Sequence, residues 1–482
     1  MMNVLFITLD QFRGDSLSCA GHPVVQTPFL DELASEGLRL GAHYSQAAPC
    51  GPGRASLYTG MYQMNHRVVA NGTPLDDRFD NIARIAGRAG YKPVLFGYTD
   101  TTVDPRIVSS ADDVRLQTYE GVLAGFDCKL NLIAGHEPWI AWLRENGYDV
   151  CDDDIAVLAS EPDRPAEFSA STFLTNHLSD WIEQQDGPWF AHASYLRPHS
   201  PYAAAGEFAT MYSPKDMPSP IGAAPERHPL HDVLLTLPST SAPQDEDSLQ
   251  QMQAQYFGMI SEVDAQLGRV WATLRRCGAW ENTLIIVTAD HGEQLGDHGL
   301  KEKVGYWESS YHILGIVRDP SKPESHGTVV NEFTENVDIV PTVCDALGVA
   351  IPLQCDGLPL TPFLNAEEPR WWRNAATWEF DWRSSLIPRG DFGWPWDRRL
   401  EKCNLVVRRS ADAAYVQFGD GSWLCFDLLT DPTWRTAVQD LSIVLKHAQA
   451  MLQWQMQHTD RTLTGLIIDN GVTGRLPAGI LW

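Results

Sequence analysis

Long apolar runs are missing from this chain: no stretch approaches the about 18 consecutive apolar residues that a membrane-crossing helix needs. Paired cysteines are missing too. The nine cysteines, an odd number, are scattered from Cys19 to Cys425 without a Cys-x-x-Cys pair, which fits neither a disulfide framework nor a zinc cluster. Met1-Met2-Asn3-Val4-Leu5-Phe6-Ile7 lacks a basic n-region and a small-residue cleavage site, and its apolar run is too short for a signal peptide. It reads as a core strand, and a reducing cytoplasm is the expected location. Basic residues are scarce, 36 against 62 acidic ones, for a formal charge of −26. A net-negative field of that size excludes nucleic acid and anionic membrane as partner surfaces, and an anionic substrate would need a locally positive pocket. No internal repeat or long low-complexity tract is present.

The composition is otherwise that of an ordinary soluble enzyme. Its 482 residues are too many for one ordinary core, and enough for a large α/β domain with a smaller companion. Short apolar runs that end in polar residues, Val4 to Leu9, Val94 to Gly97, Trp189 to Leu196 and Leu284 to Ala289, predict buried parallel strands. Amphipathic segments between them, at Thr27 to Glu36, Phe79 to Ala89 and about Asp245 to Arg276, predict helices. The fold class is therefore α/β, a large mostly parallel sheet sandwiched by helices, with ligands outside the carboxyl ends of the strands. Residues 201–243, rich in Pro, Ala and Ser, read as a long surface excursion, either a wall over the site or a tolerated insertion. After Pro369 come Trp371-Trp372, Trp378 to Trp382 and alternating runs at Leu405 to Arg409, Ala414 to Phe418 and Trp423 to Leu428. They predict a C-terminal subdomain over 371–482 with a small antiparallel sheet and a helix, beside a catalytic domain over 1–370. Its aromatic residues are candidates for covering a pocket or an oligomer interface, and a homo-oligomer, dimer or tetramer, is expected.

The richest stretch is Cys50-Gly51-Pro52-Gly53-Arg54, followed by the helical run Ala55 to Tyr62. A cysteine at a helix N-terminus beside an arginine sits in positive potential, which favours anions and lowers a thiol pKa. Gly51 and Gly53 allow close backbone approach, and Pro52 presets φ for the first helical turn. The competing reading is a Gly/Pro-rich turn that happens to hold Cys and Arg. Only three residues separate Cys50 from Arg54, against the five of a protein-tyrosine-phosphatase loop. Asp10 and Gln11 end the first strand and Asp290 and His291 a later one, so a doubly wound sheet brings both pairs to one edge. Their oxygen and nitrogen donors suit a hard or borderline divalent cation, although strand-end carboxylates also cap helices. Two carboxylates and an amide accept Ca²⁺, and His291 tilts the set toward Mn²⁺.

Three segments in order, Ile7-Thr8-Leu9-Asp10-Gln11, Cys50 to Arg54 with Ala55-Ser56-Leu57-Tyr58-Thr59-Gly60, and Thr288-Ala289-Asp290-His291-Gly292-Glu293, resemble the sulfatases of the alkaline phosphatase superfamily. Asn336 to Thr342, and Leu424 to Leu428 with Asp431-Pro432, look like that family's later motifs. The resemblance implies that Cys50 is oxidised to formylglycine by a formylglycine-generating enzyme, and that the aldehyde hydrate, bound to one metal, is the nucleophile. It implies metal ligation by Asp10, Gln11, residue 50, Asp290 and His291. By the same resemblance Arg54 orients the nucleophile, Lys303 contacts the transferred group, and His199 acts as general acid or charge offset near the leaving group.

Departures point to one branch. Gln11 stands where many sulfatases have a second aspartate, and the usual Gly-Lys-Trp-His motif is replaced by Phe96-Gly97-Tyr98-Thr99-Asp100-Thr101-Thr102. With Arg197-Pro198-His199-Ser200-Pro201, these make the chain similar to phosphonate monoester hydrolases and related arylsulfatases, in which Asn71 and Tyr98 would contact the transferred group. Asp100 is left out of the catalytic set, because an acid there disfavours an anionic substrate. Gly53 replaces the more usual Ser or Ala of the modification motif. The implied activity is hydrolysis of small anionic esters: sulfate monoesters first, with side activity on phosphodiesters and phosphonate monoesters. The alternatives are the reverse order, and an unmodified, non-catalytic anion-binding protein. A two-metal phosphatase or mutase is disfavoured, since ligands for only one metal are evident.

Overall fold

The computed structural model describes residues 1–133, 135–383, 402–459, 466–469 and 472–475. In chain order the strands are β1 (Asn3–Leu9), β2 (Leu38–Tyr44), β3 (Ala47–Ala48), β4 (Val94–Gly97), β5 (Asp127–Asn131), β6 (Phe190–Tyr195), β7 (Thr283–Thr288), β8 (Gly315–Arg318) and β9 (Thr328–Glu335). They are followed by β10 (Ala375–Asp381), β11 (Asn404–Ser410), β12 (Ala413–Phe418), β13 (Trp423–Asp427), β14 (Leu466–Asp469) and β15 (Val472–Arg475). Eight of them form one sheet in the order β5-β4-β6-β1-β7-β8-β2-β9. Only β8 runs antiparallel to its neighbours.

The middle strands are mostly apolar because both faces are covered: every residue of β1, β6 and β7 is buried. Successive side chains alternate between faces. Leu5, Ile7 and Leu9 of β1 join a core with the helices Ala170–Glu183 and Glu246–Arg276, whereas Val4 and Phe6 pack with Leu57, Val340 and Val343 on the other side. Parallel pairing in register, Leu9 with Tyr195 and Thr8 with Thr288, brings the residues after β1, β6 and β7 to a common edge. That edge carries the chemistry.

Helix boundaries follow local caps. Asp245 accepts the Ser248 N–H, so the long helix runs over Glu246–Arg276 as its periodicity predicts. The helix expected over 79–89 is shorter, Ile82–Arg88, because Asn81 accepts from the N–H groups of Ala83 and Arg84. Helix α1 spans Pro28–Ser35 and α2 spans Cys50–Thr59, ending at Gly60 in the left-handed region with φ 70°. α2 therefore starts at the cysteine itself, one turn earlier than the run at Ala55 suggested.

The 201–243 segment is more ordered than its composition indicates. Ala203, Ala204 and Ala205 are buried, Ala204 N–H donates to Gln255 Oε1 at 3.0 Å, and a helix over Pro229–Thr236 buries Leu230, Val233 and Leu234. The second sheet, β13-β12-β11-β10-β3, is antiparallel except that β10 runs parallel to β3. Phe380 pairs with Ala48, so the C-terminal sheet grips the strand that leads into Cys50. The helix expected after it spans Leu441–His458. Among the described residues no helix is long and apolar enough to cross a membrane.

Candidate active site

Asp10, Cys50, Asp290 and His291 are all buried, and their ligand atoms lie within 4.8 Å of one another. Cys50 begins α2, and the next N–H, that of Gly51, donates to Asn71 Oδ1 at 2.8 Å. Gly53 lies flush against the end of β7. A Cβ there would be 2.5 Å from the Asp290 carbonyl oxygen and 3.0 Å from that of Ala47. The departure from Ser or Ala at this position thus has a packing reason. The Asp290 carbonyl also accepts from Ser45 Oγ, and Asn336 donates to Ala289 O at 2.7 Å, which fixes the strand end.

Arg54, fully buried, spends its guanidinium inside the protein. It reaches Asp290 Oδ2 at 2.9 Å, Asp10 Oδ2 at 3.0 Å, Ser194 Oγ at 2.8 Å, and Tyr58 Oη and the Tyr98 carbonyl at 3.2 Å each. This overturns the expectation of an activated thiol. Burial, then the carboxylates of Asp10, Asp290 and Asp100, push the Cys50 thiol well above its ordinary pKa, with Lys303 opposing them. A positive helix end cannot offset three nearby acids.

His291 turns a ring nitrogen towards the cluster. Its Nδ1 bonds the Gly292 carbonyl at 3.0 Å, and burial lowers its pKa, so the ring is neutral with Nε2 turned to Cys50 Sγ at 3.2 Å. Asp10 Oδ2 also accepts the Tyr98 hydroxyl at 2.6 Å, while Asp10 Oδ1 is buried without a hydrogen-bond partner. Although burial opposes it, the neighbouring His199, Arg54, His291 and Lys303 hold the Asp10 carboxyl below the usual range. An orphaned carboxylate oxygen beside an imidazole lone pair is what a divalent cation satisfies, so the residues present fit such an ion.

Gln11, with φ 69°, directs its side chain along a buried relay. Lys303 Nζ donates to Gln11 Oε1 at 2.7 Å and contacts His199 Nε2, while Gln11 Nε2 donates to Glu293. His199 Nδ1 bonds the Ser200 carbonyl at 2.7 Å, and its own carbonyl accepts from Arg197 Nη1 at 3.0 Å. The loop 197–201 is clamped in turn by the buried Arg197–Glu161 pair. The structure thus joins all the predicted residues. Tyr98, expected to touch substrate, has its hydroxyl on Asp10 and its ring 4.3 Å from the Arg54 guanidinium.

Glu293, Ser194, Glu161 and Arg197 escaped sequence reasoning as supports. Glu293 and Arg197 had signals in the Asp290 to Glu293 and Arg197 to Pro201 runs, whereas Ser194 and Glu161 are contacts across the fold. Asp100 lies closer to the centre than its exclusion implied. Its Oδ2 is 4.0 Å from Arg54 Nε, and burial together with Asp10, Glu120 and Asp290 raises its pKa to about 7 against the pull of Arg54.

The sulfatase family model matches residues 2–349. The chain belongs to the sulfatase family. Within the alkaline phosphatase superfamily this sulfatase-family hydrolase is 37% identical to the multifunctional alkaline phosphatase superfamily protein PehA of Trinickia caryophylli, over 96% of each chain. It is 27% identical to an arylsulfatase of Clostridium perfringens, over 89% of this chain and 88% of that one. The crystal structure of the phosphonate monoester hydrolase of Agrobacterium radiobacter superposes with a TM-score of 0.92 at 38% identity, covering 99% of this chain and 100% of that one.

Proposed function

We propose that this sulfatase-family chain hydrolyses phosphonate monoesters and phosphodiesters, with sulfate monoesters as further substrates, through formylglycine made from Cys50 by a formylglycine-generating enzyme. The observation that carries the reading is the buried meeting of Cys50 with Asp10, Asp290, His291 and Arg54. The whole-chain likeness to a phosphonate monoester hydrolase supports placing phosphorus esters ahead of the sulfate-first order inferred from sequence. A sulfate-first reading keeps support from the arylsulfatase likeness.

A divalent ion, Mn²⁺ or Ca²⁺, would be held by Asp10, Asp290, His291 and Gln11 with residue 50, and would supply Lewis-acid stabilisation of charge on the transferred group and on the nucleophile. The aldehyde hydrate supplies a nucleophilic hydroxyl and, in its second hydroxyl, an exit that needs no water attack on sulfur or phosphorus. Arg54 orients Asp10 and Asp290. Lys303 keeps a positive charge beside Gln11 and His199, where it offsets charge on the transferred group. His199 Nδ1–H donates to the Ser200 carbonyl, so Nε2 of the neutral ring holds a lone pair towards Lys303 Nζ, and His199 passes a proton from Nε2 to the leaving oxygen only as the imidazolium.

The test is the mass of the peptide around Cys50 from native material, with rates on aryl phosphonate, phosphodiester and sulfate esters. Formylglycine with measurable turnover supports the reading. Cysteine alone in every molecule would sink it and favour an anion-binding protein.

A further inference from the structure

We propose that Asp100 is a charge-selectivity residue, a carboxylate beside the nucleophile with no hydrogen-bonded cation, which admits esters carrying one negative charge and rejects dianionic phosphate monoesters. The inference rests on the functional reading above, whose substrates, phosphonate monoesters, phosphodiesters and sulfate monoesters, share a single charge on the transferred group. Phosphate monoesters differ from them mainly in carrying a second.

Asp10, Asp290 and Glu302 each have a cation closer than that of Asp100. Asp10 and Asp290 both bond Arg54, and Glu302 lies 3.2 Å from Lys303. Asp100 makes no hydrogen bond through its carboxylate among the described residues, and its cation is Arg54 Nε at 4.0 Å, already engaged by Asp290. Its side chain is only 8% exposed, so water screens it poorly. The backbone holds it there: Asp100 has φ 46°, and its carbonyl oxygen lies 3.6 Å from where a Cβ on Gly51 would sit. The first turn of α2 and Asp100 are therefore packed together, and the field of Asp100 reaches the Cys50 sulfur. Any transferred group must come to bonding distance of residue 50 and so enters that field. Glu120, also near Asp100, adds to the negative flank. Gln11 removes one charge from the edge where many sulfatases have two aspartates, and Asp100 puts one back beside Arg54 and the first turn of α2, off the predicted metal ligands.

Asn tolerates positive φ as Asp does, so Asp100→Asn removes the charge with little backbone cost. The assay is run at about pH 8.5, where Asp100, with its pKa at about 7, and a phosphate monoester are both ionised. In D100N, kcat/KM for an aryl phosphate monoester should rise by about tenfold or more relative to an aryl phosphonate monoester, the scale of one nearby unit charge in a protein interior. Calorimetry provides a readout free of turnover: orthophosphate should bind D100N about tenfold tighter than wild type, and dimethyl phosphate, with half the charge, only about threefold tighter. D100E, which keeps the charge, should discriminate like wild type. A substrate ratio and orthophosphate affinity within about twofold of wild type in D100N, or loss of discrimination in D100E, would overturn the proposal. Should D100N not fold, D100S is held to the same criteria. If converted wild-type protein turns over no ester, the functional reading fails, and the two binding measurements still decide the role of Asp100.

Discussion

Arg54 Nε donates to Asp290 Oδ2 at 2.9 Å, which fastens the helix that starts at the nucleophile to the loop that follows β7. Both groups are fully buried, and the same guanidinium reaches Asp10 at 3.0 Å, so one side chain ties together two acids from distant parts of the chain. Breaking a buried pair by deleting one partner strands the other charge.

Arg54→Ala is accordingly expected to lower stability by about 3–5 kcal/mol in the metal-free protein. Added Mn²⁺ should recover part of that loss, because a cation would again face Asp10 and Asp290. Urea denaturation with and without the ion checks it, and a loss below about 1 kcal/mol would show that the pair does not hold the site together.

Gly53→Ala restores a residue more usual in the modification motif but places a methyl 2.5 Å from the Asp290 carbonyl oxygen, a backbone atom that cannot swing away. The expected cost is about 1–3 kcal/mol, with weaker metal binding as Asp290 shifts. Thermal unfolding and metal titration measure both. A variant as stable as wild type would mean that α2 slides freely on the strand end.

His199→Ala should have an effect that depends on the leaving group. Esters of acidic phenols should lose less than about tenfold in kcat/KM, and esters of weakly acidic alcohols about 10²–10⁴-fold, because only the latter need a proton on departure. Equal losses across a leaving-group series would assign His199 to structure, through the loop that Arg197 clamps.

Asp264 gives a pH prediction away from the site. It is buried, accepts from the N–H groups of Phe29 and Leu30 at 3.1 and 2.7 Å, and burial raises its pKa to about 7, with the two hydrogen bonds working against the rise. A carboxyl whose folded pKa is raised contributes stability that is fully present below its unfolded value near 4 and lost as pH climbs to the folded value. Between pH 5 and 8, wild type should therefore lose about 1–3 kcal/mol relative to Asp264→Asn. Parallel denaturation curves that keep a constant difference across this range would contradict it.

The strands that carry the site were legible because a parallel strand covered on both faces must be apolar along its length. The runs before Asp10 and Asp290 show that plainly. The helix Glu246–Arg276 was legible from its period and its Asp245 cap. The packing of residues 201–243 was not, because Ala203 to Ala205 owe their burial to a helix some fifty positions away, through contacts such as Ala204 with Gln255. The partner of the Tyr98 hydroxyl was not legible for a similar reason: Asp10 is 88 positions distant.

Sequence by itself determined which chemical groups would reach the sheet edge, since strand ends, caps and turns are written in neighbouring residues. Tertiary structure alone decided the charge each group would face. Arg54 is consumed by Asp10 and Asp290, the Cys50 thiol is pushed up instead of down, and Asp100 is left without a bonded counter-ion. Electrostatic energies and close contacts depend on distance in space, and the backbone of Gln11 bonds a carboxylate 279 positions along the chain. Local pattern carries no record of such distances.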